Sequence, residues 1–234
     1  MGELQVGLEF GIPFPGLTEQ DSVIFTNTLV VMLVLFILGF LIARKLRLGK
    51  PSKPQLVMEM TVNWLGGLAR DIIGEGGTRY LPLILTLFFF VLFANLIGMV
   101  PGFISPTSNL NTNFGLALIV FIATPFVGIR EIGLKAFLKH RAGPVTALAP
   151  IMFILETIGE FSRPLSLTLR LFGNIRGEEI LVMMINKIAT MIYYIPITVI
   201  ILPLTLITSL VQAFIFALLP TIYFGGASAW GEKH

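Results

Sequence analysis

The sequence predicts an all-α integral membrane protein: an outside N-terminal segment, about five membrane helices and one amphipathic surface helix. Three observations carry this. Of 234 residues, 55% are hydrophobic and only 12% charged, half the charged share of about 25% in a soluble domain. The few charges leave apolar stretches as long as a bilayer is thick. The basic residues gather directly behind the first and third of these stretches. Such a chain is excluded, taken whole, from the soluble enzymes, the nucleic-acid binders and the disordered linkers.

The elements follow from the charge-free intervals. Residues 1–22 carry Glu3, Glu9, Glu19 and Asp21 and have no basic n-region, so no secretory signal peptide is expected there. Gly2 lacks the downstream Ser or Thr that myristoylation wants. Between Asp21 and Arg44 lie 22 uncharged residues, ~33 Å of helix, which places a first span over 23–43. Residues 54–74 (PQLVMEMTVNWLGGLARDIIG) are too polar to cross. Their apolar Leu56, Met60, Trp64, Leu68 and Ile72 recur every fourth residue, the pattern of an amphipathic helix on the membrane surface or of a loop helix packed on the protein. From Tyr80 to Ile129 there are 50 uncharged residues, enough at ~75 Å for a helical hairpin. The break SPTSNLNTN (105–113) supplies its turn, with Asn111 and Asn113 read as turn residues.

The remainder, 145–225, is read as a long helical hairpin. Its first part is apolar yet carries Glu156, Glu160, Arg163, Arg170, Arg176, Glu178, Glu179 and Lys187, a load no lipid-facing helix carries. Its second part lies within 44 charge-free residues, Ile188 to Gly231, interrupted by Pro196, Pro203 and Pro220. That is one kinked or steeply tilted helix, or a broken pair. Orientation follows from the basic loops. Arg44, Lys45, Arg47, Lys50 and Lys53 follow the first span, and Arg130, Lys135, Lys139 and Arg141 the third. Both loops are expected in the cytoplasm, with the N-terminus outside and the C-terminus cytoplasmic. Residues 1–234 form one membrane domain on this reading.

Glu156, Glu160, Arg163, Leu167, Arg170 and Asn174 are spaced 4, 3, 4, 3, 4 and fall along one helix face. A stripe of that kind faces protein or water. Glu160 and Arg163 are an i, i+3 pair, but Arg170 has no counter-charge within a turn on its own face. Arginine cannot shed its proton, so a carboxylate from another helix or subunit is expected. Glu179 lies nine residues on, two and a half turns away and on the opposite side of the helix. RGEE (176–179) reads either as part of a two-faced ion device or as a helix end. On the last helix Thr205, Ser209 and Gln212 share a face, with Thr208 beside them. Gln212 is costly to hide without a partner, and Asn95 in the hairpin is a similar candidate.

LSLTLRLFGNIRGEE (Leu165 to Glu179) and, downstream, SLVQAFIFALLPTIY (Ser209 to Tyr223) closely resemble subunit a of the rotary F-type ATP synthases, in order and spacing. The N-terminal half matches that family by pattern. The resemblance implies that the last two helices lie strongly tilted against a ring of c subunits. Arg170 matches the family's essential arginine, which meets the ring carboxylates. Glu179 and Gln212 match the half-channel from the outside, Glu156 the cytoplasmic half-channel, Asn174 the asparagine one turn after the arginine, and Asn95 the outer path. Glu160 and Thr205 complete the expected ion path. Some members carry a histidine where Thr205 stands and an aspartate shortly after Asn95. The implied partners are the c-subunit ring, b-type peripheral stalk subunits, the lipid bilayer and translocated H+ or Na+. The implied location is the bacterial plasma (inner) membrane. No G-x-x-x-x-G-K-[ST] loop is present, so no ATP hydrolysis by this chain alone is expected. With no Cys and two His, no cofactor or metal site is expected, and no nucleic-acid partner. The rival readings are a secondary ion-coupled transporter using the polar stripe as its own site and a purely structural membrane subunit.

Overall fold

The computed structural model describes residues 12, 18–46, 51–100, 102–134, 136–137, 149–192 and 197–228. Among these there are six long α-helices and no strand. Four helical segments are long and apolar enough to cross a membrane: Glu19–Arg44, Glu75–Ile97, Leu110–Ile132 and Leu202–Ala227. Glu3, Glu9, Arg47, Lys50, Lys135, Lys139, Arg141 and Pro196, which enter the topology argument, lie outside the described residues.

Helix α1 (Glu19–Arg44) starts four residues before the expected span. Thr18 caps it: its hydroxyl donates to Asp21 Oδ2 (2.6 Å) and accepts from Asp21 N (3.3 Å). Glu19 and Asp21 therefore sit in the first turn, where the helix dipole favours carboxylates. At the other end the Arg44 guanidinium covers the Phe40 ring at 4.4 Å. The buried residues of α1 end at Val31; from Met32 to Arg44 none is buried.

Helix α2 (Lys53–Ile73) has Pro54 in its first turn and ends at Gly74, whose φ of 95° closes the helix and suits only glycine without strain. A turn of 3-10 helix, Glu75–Tyr80, leads into α3 (Leu81–Ile97). A second 3-10 turn, Pro106–Ser108, precedes the next helix. Helix α4 (Leu110–Ile132) begins earlier than the sequence predicts, so Asn111 and Asn113 are helical and not turn residues. The reason is a cap. Asn109 Oδ1 accepts the Asn111 N–H at 2.8 Å, satisfying a first-turn donor.

Helix α5 (Ala149–Ile192) is continuous over 44 residues, and α6 (Ile197–Ser228) over 32. Two alternatives left open by the sequence are decided. RGEE lies inside α5 and is not a helix end. Of the charge-free stretch after Lys187, the first residues finish α5 and the last helix begins at Ile197, so it is divided between two helices.

The chain forms two compact units. The first combines Met1–Lys50, Phe88–Thr112 and Arg170–Phe214. Here α1 is tied to the hairpin turn by polar side chains: the buried Asn27 donates through Nδ2 to Ile104 O (2.9 Å), and the half-buried Asn109 through Nδ2 to Asp21 Oδ1 (3.3 Å). Val31, Val91, Ala94 and Leu171 are fully enclosed.

The second unit combines Pro51–Leu87, Asn113–Leu169 and Ile215–His234. Leu65, Gly66 and Ala69 of α2 pack inward, while Leu56, Met60 and Trp64 stay exposed and Leu68 and Ile72 are half-buried. The apolar stripe of α2 is thus largely outward, and a separate face with Leu65, Gly66 and Ala69 does the packing. Tyr80 donates to Glu131 Oε1 (2.5 Å) and its ring lies 5.7 Å from that of Phe224. Gly225 lies against the backbone of Ile72: a Cβ there would meet the Ile72 carbonyl oxygen at 2.6 Å.

Candidate functional site

In the first unit, Asn95 stands at the end of α3, 3% exposed. Its Oδ1 accepts from the Thr107 hydroxyl (2.6 Å), which lies 2.7 Å from Ser105 Oγ; Ser105 in turn donates to Ala94 O (2.7 Å). This network fixes the carboxamide and leaves its Nδ2 without a hydrogen-bond partner among the described residues. Asn95 lines a cleft of about 440 Å³ together with Ser105, Arg176, Glu178, Glu179 and Thr205. Three of the expected ion-path residues, Asn95, Glu179 and Thr205, are therefore brought to one cavity from three elements. The apolar walls come from residues such as Phe103, Val182 and Leu202.

Two neighbouring carboxylates of α5 enter this cleft and differ in their partners. Glu179 Oε2 lies 2.9 Å from Arg176 Nη1, an i, i+3 ion pair, and the Arg176 guanidinium also lies 5.9 Å from the Phe172 ring. Glu178 Oε1 accepts from the Thr208 hydroxyl of α6 at 3.2 Å. Beside the cleft, Asn174 Nδ2 donates to Gln212 Oε1 at 2.6 Å. That bond joins α5 to α6 and gives the buried Gln212 its partner. Ser209, 1% exposed and on the Gln212 face, has no partner for its hydroxyl among the described residues.

Arg170 opens the first unit's stretch of α5. It is exposed between the exposed Leu165 and Leu169 and the open Gly173, and among the described residues it makes no ion pair or hydrogen bond. Leu171 and Ile175, on the other side of the helix, are buried. The packed face of α5 is apolar, and the cation is turned outward.

Glu156 and Glu160 belong to the second unit. Arg163 Nη2 lies 3.6 Å from Glu156 Oε1, two turns back, and its guanidinium covers the Tyr223 ring at 4.9 Å. Glu160, Arg163 and Tyr223 line a small pocket with Thr124 and Pro125. The sequence reading paired Arg163 with Glu160 alone and missed Tyr223 and the long reach to Glu156. It also missed Ser105 and Thr107, which it absorbed into the turn; their signal was three hydroxyl residues, Ser105, Thr107 and Ser108, gathered around Pro106 beside an apolar span. Among the described residues no three His, Asp or Glu gather closely enough to hold a metal ion.

Outward apolar faces, a 44-residue helix too charged for lipid and an amide-and-carboxylate cleft between helices define an all-helical integral membrane protein with a polar interior. Residues 24–225 match the family model for the ATP synthase A chain. The chain is 40% identical over 217 residues to the ATP synthase subunit a of Geotalea daltonii, covering 93% of this chain and 92% of that protein. It is 42% identical over 211 residues to ATP synthase subunit a 1 of Pelobacter propionicus, covering 90% of each. The subunit a of Geobacter sulfurreducens is 41% identical over 207 residues, 88% of this chain and 87% of that one. The chain belongs to the ATP synthase subunit a family. It is a membrane-sector subunit that serves ATP synthesis and ion transport as one part of a complex.

Proposed function

We propose that this chain is the ion-translocating stator of its complex, with two offset half-channels leading to and from the carboxylates of a c-subunit ring. The observation that carries the reading is Arg170, a permanent cation turned outward from a membrane helix without a partner among the described residues. An uncompensated cation at depth costs on the order of 2.5–3.5 kcal/mol on the lenient scales. A ring carboxylate passing α5 removes that cost. The protonated carboxyl travels through lipid cheaply, and Arg170 favours its ionised form on arrival. The same charge repels a cation moving straight between the half-channels, so the ion must travel with the ring. The drive is ~2.3 kcal/mol per charge per 100 mV.

Asn95, Glu179, Thr205 and the Asn174–Gln212 pair are assigned to the outer path, and Glu156 and Glu160 to the cytoplasmic path. Support for this order comes from α5 itself, where Glu156 and Glu160 precede Arg170 and Glu179 follows it. The ion is a proton, with sodium the alternative. A 44-residue helix is about 66 Å long, twice the ~30 Å hydrocarbon core, so α5 is assigned a strong tilt, with α6 beside it. Arg44, Lys45 and Lys53 around the α1–α2 connection and Arg130 at the end of α4 support cytoplasmic loops, an outside N-terminus and a cytoplasmic C-terminus in a bacterial plasma membrane. The exposed Leu56, Met60 and Trp64 of α2 then rest at the membrane surface. b-type stalk subunits complete the stator.

The test is Arg170→Lys, assayed as ion-driven ATP synthesis by the complete complex in closed vesicles. Lysine keeps the charge but loses the planar fork and can shed its proton. Synthesis is expected to fall at least about tenfold, a loss of at least ~1.4 kcal/mol of coupling. Wild-type synthesis would make the arginine a packing element. Glu179→Gln is expected to slow ion entry several-fold while the complex still assembles, and an unchanged transport rate removes Glu179 from the path.

A further inference from the structure

Resting on the ion path so assigned, we propose that Ser209 is a positioning residue of the outer half-channel: its hydroxyl holds a water that links the cleft to the Asn174–Gln212 pair. Ser209 is 1% exposed, and its Oγ has no hydrogen-bond partner among the described residues. A buried hydroxyl left unbonded costs free energy. The ordinary remedy in a membrane helix is a bond to the carbonyl four residues back. Thr86, Thr124, Thr168 and Thr221 of this chain all make that bond, at 2.8 to 2.9 Å. Ser209 does not. The carbonyl it would use, that of Thr205, lies 3.0 Å from the Thr208 hydroxyl.

Its place in α6 says what the hydroxyl serves. Thr205, Ser209 and Gln212 share one face, spaced four and three residues apart, ~6 and ~4.5 Å along the axis. Thr205 lines the cleft. Gln212 accepts from Asn174 at 2.6 Å, and Asn174 stands one turn beyond Arg170 on α5. From Thr205 directly to Gln212 is ~10.5 Å. One water cannot bridge that gap, because its two hydrogen bonds together span ~5.6 Å. A hydroxyl midway divides the gap into two steps of about one water each.

Both ends can bond to such waters. The Gln212 amide oxygen has two lone pairs, of which Asn174 uses one. At the cleft end, Asn95 Nδ2 also has no partner among the described residues, and a cleft of about 440 Å³ is wide enough for several waters at ~30 Å³ each. Thr208, next to Ser209, is already engaged: its hydroxyl lies against Glu178 Oε1 and the Leu204 and Thr205 carbonyls. A serine hydroxyl donates one hydrogen bond and accepts up to two, so it can receive from a water on the Thr205 side and donate to one on the Gln212 side. The step moves a proton between waters. Hydronium beside Thr205 breaks one O–H bond as the water on Ser209 forms one, and that water passes a proton on towards the ring carboxylate at Arg170. Ser209 keeps its own O–H, so no bond of the protein is made or broken.

The experiment uses the complete complex in closed vesicles and compares assembly with ion-driven ATP synthesis. Ser209→Ala is expected to assemble in wild-type amount and to lower synthesis at least about threefold; a hydroxyl that is merely packed would leave the rate unchanged. Ser209→Thr, which keeps the hydroxyl, is expected to retain at least half the wild-type rate, and Ser209→Val, which matches it in shape, to fall with Ser209→Ala. A loss of less than threefold in Ser209→Ala, or equal rates for the Thr and Val variants, overturns the assignment. If any of these variants fails to assemble, Ser209→Cys decides. The chain has no cysteine of its own, and a thiol reached by channel water is expected to make synthesis sensitive to aqueous silver ions that spare the wild type; insensitivity overturns the assignment. Arg170→Ala is run beside them. Retained coupling there defeats the ion-path reading itself, whereas lost coupling with normal synthesis by Ser209→Ala defeats only the assignment of Ser209.

Discussion

Vesicles holding the complete complex with Arg170→Ala are expected to make no ATP from an imposed ion gradient, although the complex assembles. Assembly survives because Arg170 is exposed and makes no contact that folding needs, whereas its buried neighbours Leu171 and Ile175 are untouched. Coupling fails for two separate reasons. A ring carboxylate loses the cation that stabilises its ionised form in a low-dielectric setting, where a paired charge is worth far more than in water. The electrostatic barrier between the two half-channels also disappears. With the catalytic sector stripped off, the variant membranes are therefore expected to leak ions passively, while wild-type membranes stay tight. Retained synthesis would make the polar stripe a packing device and leave only the membrane topology standing.

The second large effect is structural. Gly225→Val is expected to cut sharply the amount of chain recovered in the membrane complex, and to lower the melting temperature of what remains. A Cβ at 225 would lie 2.6 Å from the Ile72 carbonyl oxygen and 2.8 Å from Ile72 Cγ2. The first contact is with the backbone of α2, which cannot rotate aside as a side chain would. Relief requires the end of α2 to move, beside the fully buried Phe224 and the Tyr80 ring it meets. Overpacking of this kind costs on the order of 1–3 kcal/mol. Gly226→Ala is the control: nothing lies within 4 Å of a Cβ there, and recovery should match wild type. Equal recovery of both variants would show that the α2–α6 approach is loose.

Much of this was legible in the sequence, and the failures have physical causes. Helices α1, α3 and α4 fall on charge-free intervals, because lipid admits few charges, and α2 falls on an apolar fourth-residue repeat between Pro54 and Gly74. Boundaries failed where a local signal had two meanings. Asn109, Asn111 and Asn113 look like a turn, but one asparagine capping a helix can hold the next two inside it. RGEE resembles a helix end, yet its charges are satisfied inside α5 by each other and by Thr208. The candidate residues themselves were visible as polar positions in apolar surroundings. Their partners were not, since no periodicity reveals that Asn174 meets Gln212 across 38 positions, or that Asn95, Glu179 and Thr205 share one cleft.

Helix α1 carries a consequence for how this sequence can drift over time. Beyond Val31 it has no buried residue, and only Leu35, Gly39 and Ile42 are half-buried, so among the described residues no close packing constrains most of Met32 to Ala43. In hydrocarbon its helicity needs no tertiary contact, because every unmet amide there costs several kcal/mol. Leucine, isoleucine, valine and phenylalanine should therefore exchange freely along this half, while Asn27 and the residues around it stay fixed by their bonds to the hairpin turn. One helix thus holds two evolutionary clocks, a slow one at its capped end and a fast one at its basic end.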